Sequence, residues 1–522
     1  MSTNSESKID LTKDKTTEFS EWYTDVVIKT ELLDYYPISG CYIMLPFSYK
    51  MWENIQQYVD IQLKSLGVDN VYFPLLIPET YLNKEQNHIS GFTPEVVWVS
   101  KIGTTEQITA QPTQPAPAQP TQSDQPAQQA QQAQQNIKLA IRPTSETAIY
   151  PTFANKIRTH ADLPILWNQW TNVMRWEFSS ATPFIRSREF LWQEGHCAFK
   201  NNFEMYENVK NILKIYKNTY EDFLSVPVIV GKKIESEKFA GADETFSIET
   251  FIPEANKSIQ CATVHNLGKN FSKMFEIMYS TENNTIDNPV QSSWGLTTRS
   301  IGTAIMTHSD NKGLVLSPYF APIQIVIIPI NFSKDVEMNE KIKEHSENLY
   351  KKLIKNFRVK LDTSDRRPGW KYHHWETKGV SLRIEIGPKD IQNKTLTLVK
   401  RNDGKKFTTN IDEFNDDYVN NLFTQIKQEL FTDASKNILS TRIYEKETIH
   451  EATNKKSLIL VNLCNKLECD EYIRSLRIKP ICRPICIETL NVNKFDQLND
   501  KKLNCIVCND ECNMPCYLGK TF

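Results

Sequence analysis

The stretch FIRSREFLWQEGHCAF, residues 184–199, decides the fold of this chain, because it has the pattern of a strand with two different faces. Alternate side chains of a strand point to the same face. One face therefore carries Phe190, Trp192, Glu194 and His196, and the intervening residues form the other. A face that only meets water would seldom expose two large aromatic rings together.

The preceding stretch NVMRWEFSS, residues 172–180, predicts a partner strand with Arg175 and Glu177 on one face. The segment SSATPFIRS between them has the Ser and Pro content of a hairpin loop, so we expect antiparallel pairing that gathers the charged and aromatic groups on one surface. Two interpretations remain open for that surface. It is either a solvated sheet face with weak cross-strand ion pairs, or a site for a flat base, an anion and an amine.

Length and composition indicate a globular protein of several domains. The chain has 522 residues, of which 40% are hydrophobic and 24% charged, and domain sizes predict roughly three or four units. No segment approaches the roughly 18 to 20 apolar residues of a membrane span. The polar N-terminal residues resemble neither a secretory signal nor a transit peptide, so we expect a cytoplasmic location. With a net charge of −2, any nucleic acid would be held by local patches.

The order of predicted elements favours an α/β chain of the α+β type. Helices and strands are mixed without regular alternation, which favours an antiparallel sheet flanked by helices. A second α/β unit begins at IQIVIIPI, residues 323–330, and a small cysteine-rich α/β unit ends the chain. Residues 107–136 are almost wholly Gln, Ala, Pro and Thr, and such a composition predicts a disordered insertion because it cannot form a core.

RWE at 175–177 and RSREF at 186–190 resemble motif 2 of the class II aminoacyl-tRNA synthetases. The resemblance implies that Arg175 holds the ATP α-phosphate and the acyl carboxylate, and that Glu177 accepts the adenine amino group. It also implies that Arg186 binds the γ-phosphate and that Phe190 stacks on adenine. Fixed guanidinium groups suit adenylation, because negative charge develops at the phosphorus.

SSWGLTTRSIGTAIM, residues 292–306, resembles motif 3 of the same class. The resemblance implies that Arg299, at the end of a strand, binds the β- and γ-phosphates, and that Gly302 opens an apolar helix. Taken alone, Arg299 would be an ordinary strand-end arginine. Pro74 lies where motif 1 carries its proline, in the elements through which this class forms homodimers.

Five further segments, IRPTSETAIYP, WNQWTNVMRWEF, FLWQEGHCAF, EKFAG and NFSKMFEI, resemble prolyl-tRNA synthetases of the eukaryotic and archaeal-like type. The resemblance implies a proline pocket and further ATP contacts. The implied pocket residues besides Arg175 are Phe92, Thr144, Glu146, Trp192, Glu194, His196, Phe239 and His265, and the further ATP contacts are Gln260 and Thr263. Thr144-Ser145-Glu146 is equally typical of a helix N-terminus, and His196 alone would more often be a structural histidine.

The chain departs from the family pattern at two places. Cys261-Ala262 stand where paired glycines are expected, and Asn266 stands where a second histidine is expected. Glycines let the backbone approach a ligand closely, so we expect these side chains to narrow the pocket. No domain-sized insertion separates motifs 2 and 3, and editing in cis is not expected.

PGWKYHHWETKGVSLRIEIGPKD, residues 368–390, resembles the anticodon-binding domain of this subgroup. Aromatic side chains interleaved with basic ones suit unpaired bases, although a strand with an aromatic core would give the same pattern. We predict base contacts by Glu376, Lys378 and Arg383. By this resemblance the predicted units are a polar tail (1–17), a catalytic domain (18–312), an anticodon-binding domain (313–410) and a C-terminal domain (411–522).

Eight of the eleven cysteines fall between Cys464 and Cys516. The pairs Cys464/Cys469 and Cys505/Cys508 have the short spacing of a closed four-thiolate zinc site. Cys512 and Cys516 compete for these ligand positions, and Cys482 with Cys486 is a further candidate pair.

The leading hypothesis is a homodimeric ligase that joins L-proline to tRNA(Pro) through prolyl-adenylate, with ATP as substrate, Mg²⁺ and a structural Zn²⁺. Two other hypotheses are a class II synthetase for threonine or serine, and a tRNA-binding protein that has lost the chemistry. The presence of Arg175, Glu177, Arg186 and Arg299 favours an enzyme, with Arg175 and Arg299 as its catalytic residues.

Overall fold

The central feature of the fold is a large, mainly antiparallel sheet built around the predicted hairpin. The computed structural model describes residues 10–88, 96–99, 138–177, 181–331, 335–436, 438, 440–494 and 503–522. Phe92 and the predicted insertion at 107–136 lie outside the described residues.

Up to residue 312 the described strands are β1 Leu33–Tyr35, β2 Tyr42–Met44, β3 Asp69–Asn70, β4 Leu76–Pro78, β5 Val97–Val99, β6 Leu139–Ile141, β7 Ile165–Met174, β8 Glu189–Phe199, β9 Ile229–Lys232, β10 Glu244–Ile252, β11 Lys257–Gly268, β12 Tyr279–Ser280, β13 Ile286–Asp287 and β14 Val290–Thr297. The helices are α1 Phe19–Lys29, α2 Pro46–Ser65, α3 Glu79–His88, α4 Glu146–Lys156, α5 Asn202–Asn218, α6 Asn270–Met274 and α7 Arg299–His308.

From residue 313 the described strands are β15 Ile325–Pro329, β16 Val359–Leu361, β17 Leu382–Ile386, β18 Thr395–Lys400, β19 Lys406–Asn410, β20 Ser440–Arg442, β21 Leu458–Asn462, β22 Lys479–Pro484 and β23 Pro515–Gly519. The helices are α8 Val336–Leu353, α9 Pro368–Thr377, α10 Pro388–Asn393, α11 Asp416–Ser435, α12 Ile449–Ala452 and α13 Leu467–Ser475.

The predicted hairpin is present, but its first strand begins and ends earlier than expected. β7 pairs antiparallel with β8, and Met174 lies opposite Glu189. The strand predicted for 172–178 ends at Met174, because the chain leaves the ladder after the N–H of Arg175 donates to Arg188 O at 2.8 Å. β14 pairs with the other edge of β8, and β11, β10 and β9 continue the sheet in that order.

One face of this sheet packs on α1, α2 and α5, with Trp22, Trp52 and Trp294 fully buried in the shared core. Gly195 allows this packing, because a Cβ there would lie 2.2 Å from the Trp294 ring. The opposite face stays open in the middle, and that opening is the candidate site. The prediction of an antiparallel sheet flanked by helices is confirmed.

The second sheet has the order β16-β15-β17-β18-β19, parallel at β15 and antiparallel beyond β17. The stretch at 368–377 is helix α9, which has a proline at its start, where a missing N–H costs least. The alternative of an aromatic strand in this stretch is therefore wrong.

The C-terminal strands join the first sheet. They have the order β20-β21-β23-β22, and β22 pairs with β9, where Arg483 lies opposite Lys232. The result is a sheet of eleven strands. None of the described helices has the length and apolar character that a bilayer span requires.

Candidate active site

A cavity of about 490 Å³ opens on the sheet face formed by β8, β10, β11 and β14, within the usual range for small-ligand sites. Of the residues predicted for ATP and proline, the fourteen that the structure describes all border it. They are Thr144, Glu146, Arg175, Glu177, Arg186, Phe190, Trp192, Glu194, His196, Phe239, Gln260, Thr263, His265 and Arg299. The solvated-face interpretation of the hairpin is therefore not supported, since the charged groups share a concave space.

Arg175 follows the last residue of β7 and turns over the aromatic face of β8. Its Nε donates to Pro143 O at 2.9 Å, and its guanidinium carbon lies 5.5 Å from the ring centroids of both Phe190 and Trp192. The two rings meet edge to face at 6.2 Å. The cation is thus fixed before any anion arrives, which is the arrangement that stabilises developing charge without reorganisation.

Arg299 occupies the first position of α7 rather than the end of a strand, since β14 ends at Thr297. Its Nε donates to Ile185 O at 3.0 Å, and its Nη1 donates to Gln260 O at 2.9 Å. Burial lowers the pKa of this guanidinium below its usual value, and the charge of Arg175 acts in the same direction. Two guanidinium groups that border the same cavity favour an anion between them.

A buried polar network forms the floor of the other part of the cavity. Glu194 and His196 are 1% and 2% exposed, and Glu194 Oε2 lies 3.0 Å from His196 Nε2. Tyr150 Oη is 3.1 Å from His196 Nδ1, and Gln169 Nε2 donates to Glu194 Oε1 at 2.9 Å. Burial acts to lower the pKa of His196, but the hydrogen bond to Glu194 and the nearby carboxylates raise it overall.

The triplet Thr144-Ser145-Glu146 begins α4, and its side chains turn to the cavity network instead of capping the helix. Ser145 makes no side-chain cap hydrogen bond, and its hydroxyl donates to Glu194. The Thr144 hydroxyl donates to the Glu146 carboxylate. The triplet therefore lies at a helix N-terminus, as the alternative interpretation stated, but without a side-chain cap, and Glu146 presents a carboxylate to the cavity.

Phe239 and His265 form an apolar wall, with ring centroids 4.6 Å apart. The N–H of Phe239 donates to Thr245 Oγ1 at 2.9 Å, and Thr245 Oγ1 lies 3.0 Å from His265 Nδ1. Burial, together with the charge of His196, lowers the pKa of His265 to about 3, so the ring is neutral near pH 7.

The two departures from the family pattern lie in β11. Cys261 and Ala262 border the cavity, yet both are buried in the core of the sheet. Asn266 is turned away from the cavity and donates to Tyr206 Oη and Glu244 Oε2, at 3.2 and 3.0 Å. Narrowing of the pocket by Cys261 stays a prediction.

Several cavity residues were missed by sequence reasoning. Lys233 and Glu249 form a buried ion pair at 2.6 Å, with side chains 7% and 3% exposed. The C-terminal unit contributes a further group, which comprises Lys479, Pro480, Ile481, Thr521 and Phe522. A strand that alternates charged and apolar residues could have indicated Glu249. No local signal indicates the C-terminal group, because its approach depends on the pairing of β22 with β9.

The residues predicted to contact the anticodon make internal contacts. Lys378 Nζ donates to Thr30 O and to Glu31 Oε2, both at 2.6 Å. Arg383 Nε donates to Glu385 Oε1 at 3.1 Å. Glu376 pairs with Lys312, whose Nζ lies 3.2 Å from Glu376 Oε1. A base contact by any of these residues stays a prediction. It requires the internal hydrogen bond or ion pair of that residue to break first.

The four cysteines of the predicted pairs meet at one point. Sγ of Cys464 lies 3.4 Å from that of Cys469 and 3.8 Å from that of Cys508, and the Cys505 and Cys469 sulfurs are 3.9 Å apart. A tetrahedral Zn²⁺ with bonds of about 2.3 Å requires sulfurs about 3.8 Å apart. The donor set and its spacing therefore fit a zinc ion.

The remaining cysteines of the cluster do not join this group. Cys482 and Cys516 are buried in β22 and β23, and the thiol of Cys486 donates to Glu488 Oε2 at 3.0 Å. Among the described residues, the ligating group consists of Cys464, Cys469, Cys505 and Cys508.

Comparison with known proteins agrees with this fold and cavity. The family model "tRNA synthetase class II core domain (G, H, P, S and T)" matches residues 130–308, and the model "Anticodon binding domain" matches residues 324–420. Fold and site together define a class II aminoacyl-tRNA synthetase.

Similar proteins specify the family. The cytoplasmic proline--tRNA ligase of Arabidopsis thaliana is 41% identical over 474 residues, which cover 90% of this chain and 83% of that protein. The chain belongs to the proline--tRNA ligase family, as the sequence predicted. A crystal structure of prolyl-tRNA synthetase from Cryptosporidium parvum, complexed with L-proline and AMP, has a TM-score of 0.85 at 38% identity and covers 100% of this chain and 99% of that one.

The chain also matches the bifunctional glutamate/proline--tRNA ligase of Cricetulus griseus, with 39% identity over 482 residues. This match covers 90% of the chain and spans 30% of the length of that relative.

Proposed function

We propose that the chain ligates L-proline to tRNA(Pro) in two steps, through a prolyl-adenylate. The observation that carries the proposal is the convergence of Arg175 and Arg299 in one cavity with the carboxylates Glu146 and Glu194. The cations suit a triphosphate, and the carboxylates suit the ammonium of an amino acid. The bound L-proline and AMP named for the Cryptosporidium parvum enzyme support the same pair of ligands.

In the first step a carboxylate oxygen of proline attacks the α-phosphorus of ATP, and pyrophosphate leaves. Arg175 binds the α-phosphate and the carboxylate, and Arg299 binds the β- and γ-phosphates. Arg186 meets the γ-phosphate at the cavity rim. Charge stabilisation and fixed orientation account for the catalysis, and no side chain acts as a covalent nucleophile. Mg²⁺ bound to the ATP phosphates supplies further neutralisation of charge.

Recognition of each substrate follows from the walls of the cavity. Phe190 stacks on adenine, and Glu177 accepts its amino group. Gln260 and Thr263 hold the nucleotide from β11. The ring of proline lies against Trp192, Phe239 and His265, with its ammonium towards Glu146 and Thr144. In the second step a hydroxyl of the terminal adenosine of tRNA attacks the prolyl carbonyl, and AMP leaves.

Exposed apolar side chains before and within the motif 1 segment support a homodimer. They are Tyr35, Tyr36, Ile43, Ile61, Tyr72 and Leu76, between 43% and 74% exposed. Large exposed apolar groups are often covered in an interface. Sedimentation of the pure protein at two concentrations tests this proposal, because a monomer at micromolar concentration contradicts it.

Anticodon binding, structural zinc and a cytoplasmic location complete the proposal. On α9, Trp370 stacks on His374 at 4.8 Å, and Arg366 lies 5.0 Å above the Trp370 ring. Such stacked planes suit unpaired bases. Microscopy of the full chain fused to a fluorescent protein tests the location.

Amino-acid-dependent exchange of pyrophosphate into ATP tests the proposed activity. Proline should support exchange, and threonine and serine should not. Charging of tRNA(Pro) with labelled proline then tests the second step. Exchange with threonine but not with proline would discard the proposal, and tRNA binding without exchange would favour a protein that has lost the chemistry.

A further inference from the structure

Two fully buried tyrosines hold the backbone segments to which Arg299 is hydrogen-bonded. The hydroxyl of Tyr23 donates to Pro183 O at 2.8 Å, and the hydroxyl of Tyr220 donates to Cys261 O at 3.0 Å. Pro183 lies two residues before one carbonyl that binds the Arg299 guanidinium, and Cys261 lies one residue after the other. Neither tyrosine borders the cavity.

The segment held by Tyr23 is a strained turn. Arg186 N–H donates to Thr182 O at 2.8 Å, and between them Phe184 has a φ of 60°, a left-handed conformation that is costly for a bulky residue. A Cβ at Gly302 would lie 2.8 Å from Tyr23 Oη. The tyrosine therefore packs closely on α7, the helix that Arg299 begins.

The segment held by Tyr220 is a β-bulge. The register of β10 and β11 shifts after Ile248, and Cys261 is the extra residue of β11. The extra residue of a bulge is left out of the ladder, and Tyr220 supplies a donor to its carbonyl. Tyr220 itself lies in a single π-helical turn, Thr219–Phe223, which follows α5. Such turns are rare and often occur at functional sites.

We propose that Tyr23 and Tyr220 are positioning residues for Arg299, and that their two hydroxyls aim its guanidinium at the phosphates of the nucleotide. The proposal rests on the proposed function and adds two residues to it. A carbonyl that shifts would carry the Arg299 guanidinium with it. The loss of either hydroxyl should therefore weaken the contact between Arg299 and the nucleotide and leave the proline pocket intact. Burial keeps the pKa of both phenols well above the usual value, so each remains a donor at any working pH.

The test uses Tyr23→Phe and Tyr220→Phe in the full chain, each of which removes one hydroxyl and keeps the ring. Tyr216→Phe is the matched control, because Tyr216 is a fully buried tyrosine of α5 whose hydroxyl donates to Gln193 Oε1 at 2.6 Å, away from Arg299. Circular dichroism checks the fold. Pyrophosphate exchange gives kcat and KM for ATP and for proline, and calorimetry gives the Kd of a non-hydrolysable ATP analogue.

Each positioning variant should lower kcat/KM for ATP roughly five- to tenfold, the effect of one lost hydrogen bond. KM for proline should stay within roughly twofold of the parent value. Each Tyr→Phe substitution should raise the Kd of the analogue when it is made in the parent protein, but not when it is made in the Arg299→Ala variant. Equal kinetics in all three Tyr→Phe variants, or an equal loss for ATP and proline, overturns the proposal. If one variant does not fold, the other variant still tests the positioning role, because each tyrosine is hydrogen-bonded to a separate carbonyl. A parent protein without exchange refutes the proposed function instead, and the analogue Kd still decides the positioning role.

Discussion

Replacing Lys233 with Met should destabilise the protein strongly, because it leaves Glu249 as an unpaired buried carboxylate. The two side chains are 7% and 3% exposed and meet at 2.6 Å, and Lys233 Nζ also donates to Ile481 O at 2.8 Å. Removal of one partner of a buried pair costs about 3–5 kcal/mol. The matched control is Lys232→Met, whose ion pair with Glu244 is 32% and 21% exposed and should contribute under about 1 kcal/mol.

The pH dependence of the loss identifies its cause. Burial raises the pKa of Glu249 even with Lys233 present, and removal of the cation raises it further. An acid with a raised pKa in the folded state costs no stability below its unfolded pKa, and its cost grows as pH rises towards the folded pKa. The Lys233→Met protein should therefore regain stability as the pH falls from about 8 to about 5.

Thermal and urea unfolding at several pH values measure both effects, reported as shifts of the midpoint because a chain of several domains need not unfold in two states. The double variant Lys233→Met/Glu249→Gln should recover most of the loss, since no buried charge remains. A loss no larger than that of Lys232→Met, or no recovery in the double variant, would refute the reasoning.

Three further predictions concern activity and metal content. Arg175→Ala should lower proline-dependent exchange by several orders of magnitude with an unchanged fold, because it removes a fixed cation at the α-phosphate; a loss below roughly tenfold contradicts the phosphate role. Elemental analysis should find about one zinc per chain and much less in a Cys505→Ser variant. A metal-free parent protein would contradict the zinc site and indicate that the four cysteines are reduced core thiols. Deletion of residues 107–135 should leave turnover nearly unchanged, since that composition forms no core, and a collapse of activity would show a structural role.

The sequence predicted the hairpin and the residues of the cavity because their signals are local. Alternation along β8 separates Phe190, Trp192, Glu194 and His196 from the core face whatever the rest of the chain does. The bounds of the preceding strand were less predictable. Arg175 and Glu177 alternate as a strand would, but β7 ends at Met174, and the ladder stops after the N–H of Arg175 donates to Arg188 O.

Other parts of the site depend on contacts between distant segments. Lys378 resembles an exposed base contact in sequence, yet its ammonium is bound by Thr30 and Glu31, 347 or more residues away along the chain. The approach of Phe522 to the cavity depends on strand pairing between the C-terminal unit and β9. Neither contact has a periodic or spacing signal, because both are set by the packing of units that fold from separate stretches.

The strand pairing between β9 and β22 also has a consequence for synthesis. β9 ends at Lys232, and β22 begins at Lys479. At roughly 5–20 residues per second, the ribosome leaves the β9 margin uncovered for roughly 10 to 50 seconds. A strand edge with unpaired N–H and C=O groups can pair with another unfolded chain. Holdase chaperones should therefore bind this chain until its final forty or so residues emerge. Premature stop codons in that last stretch should yield aggregates rather than a shortened enzyme.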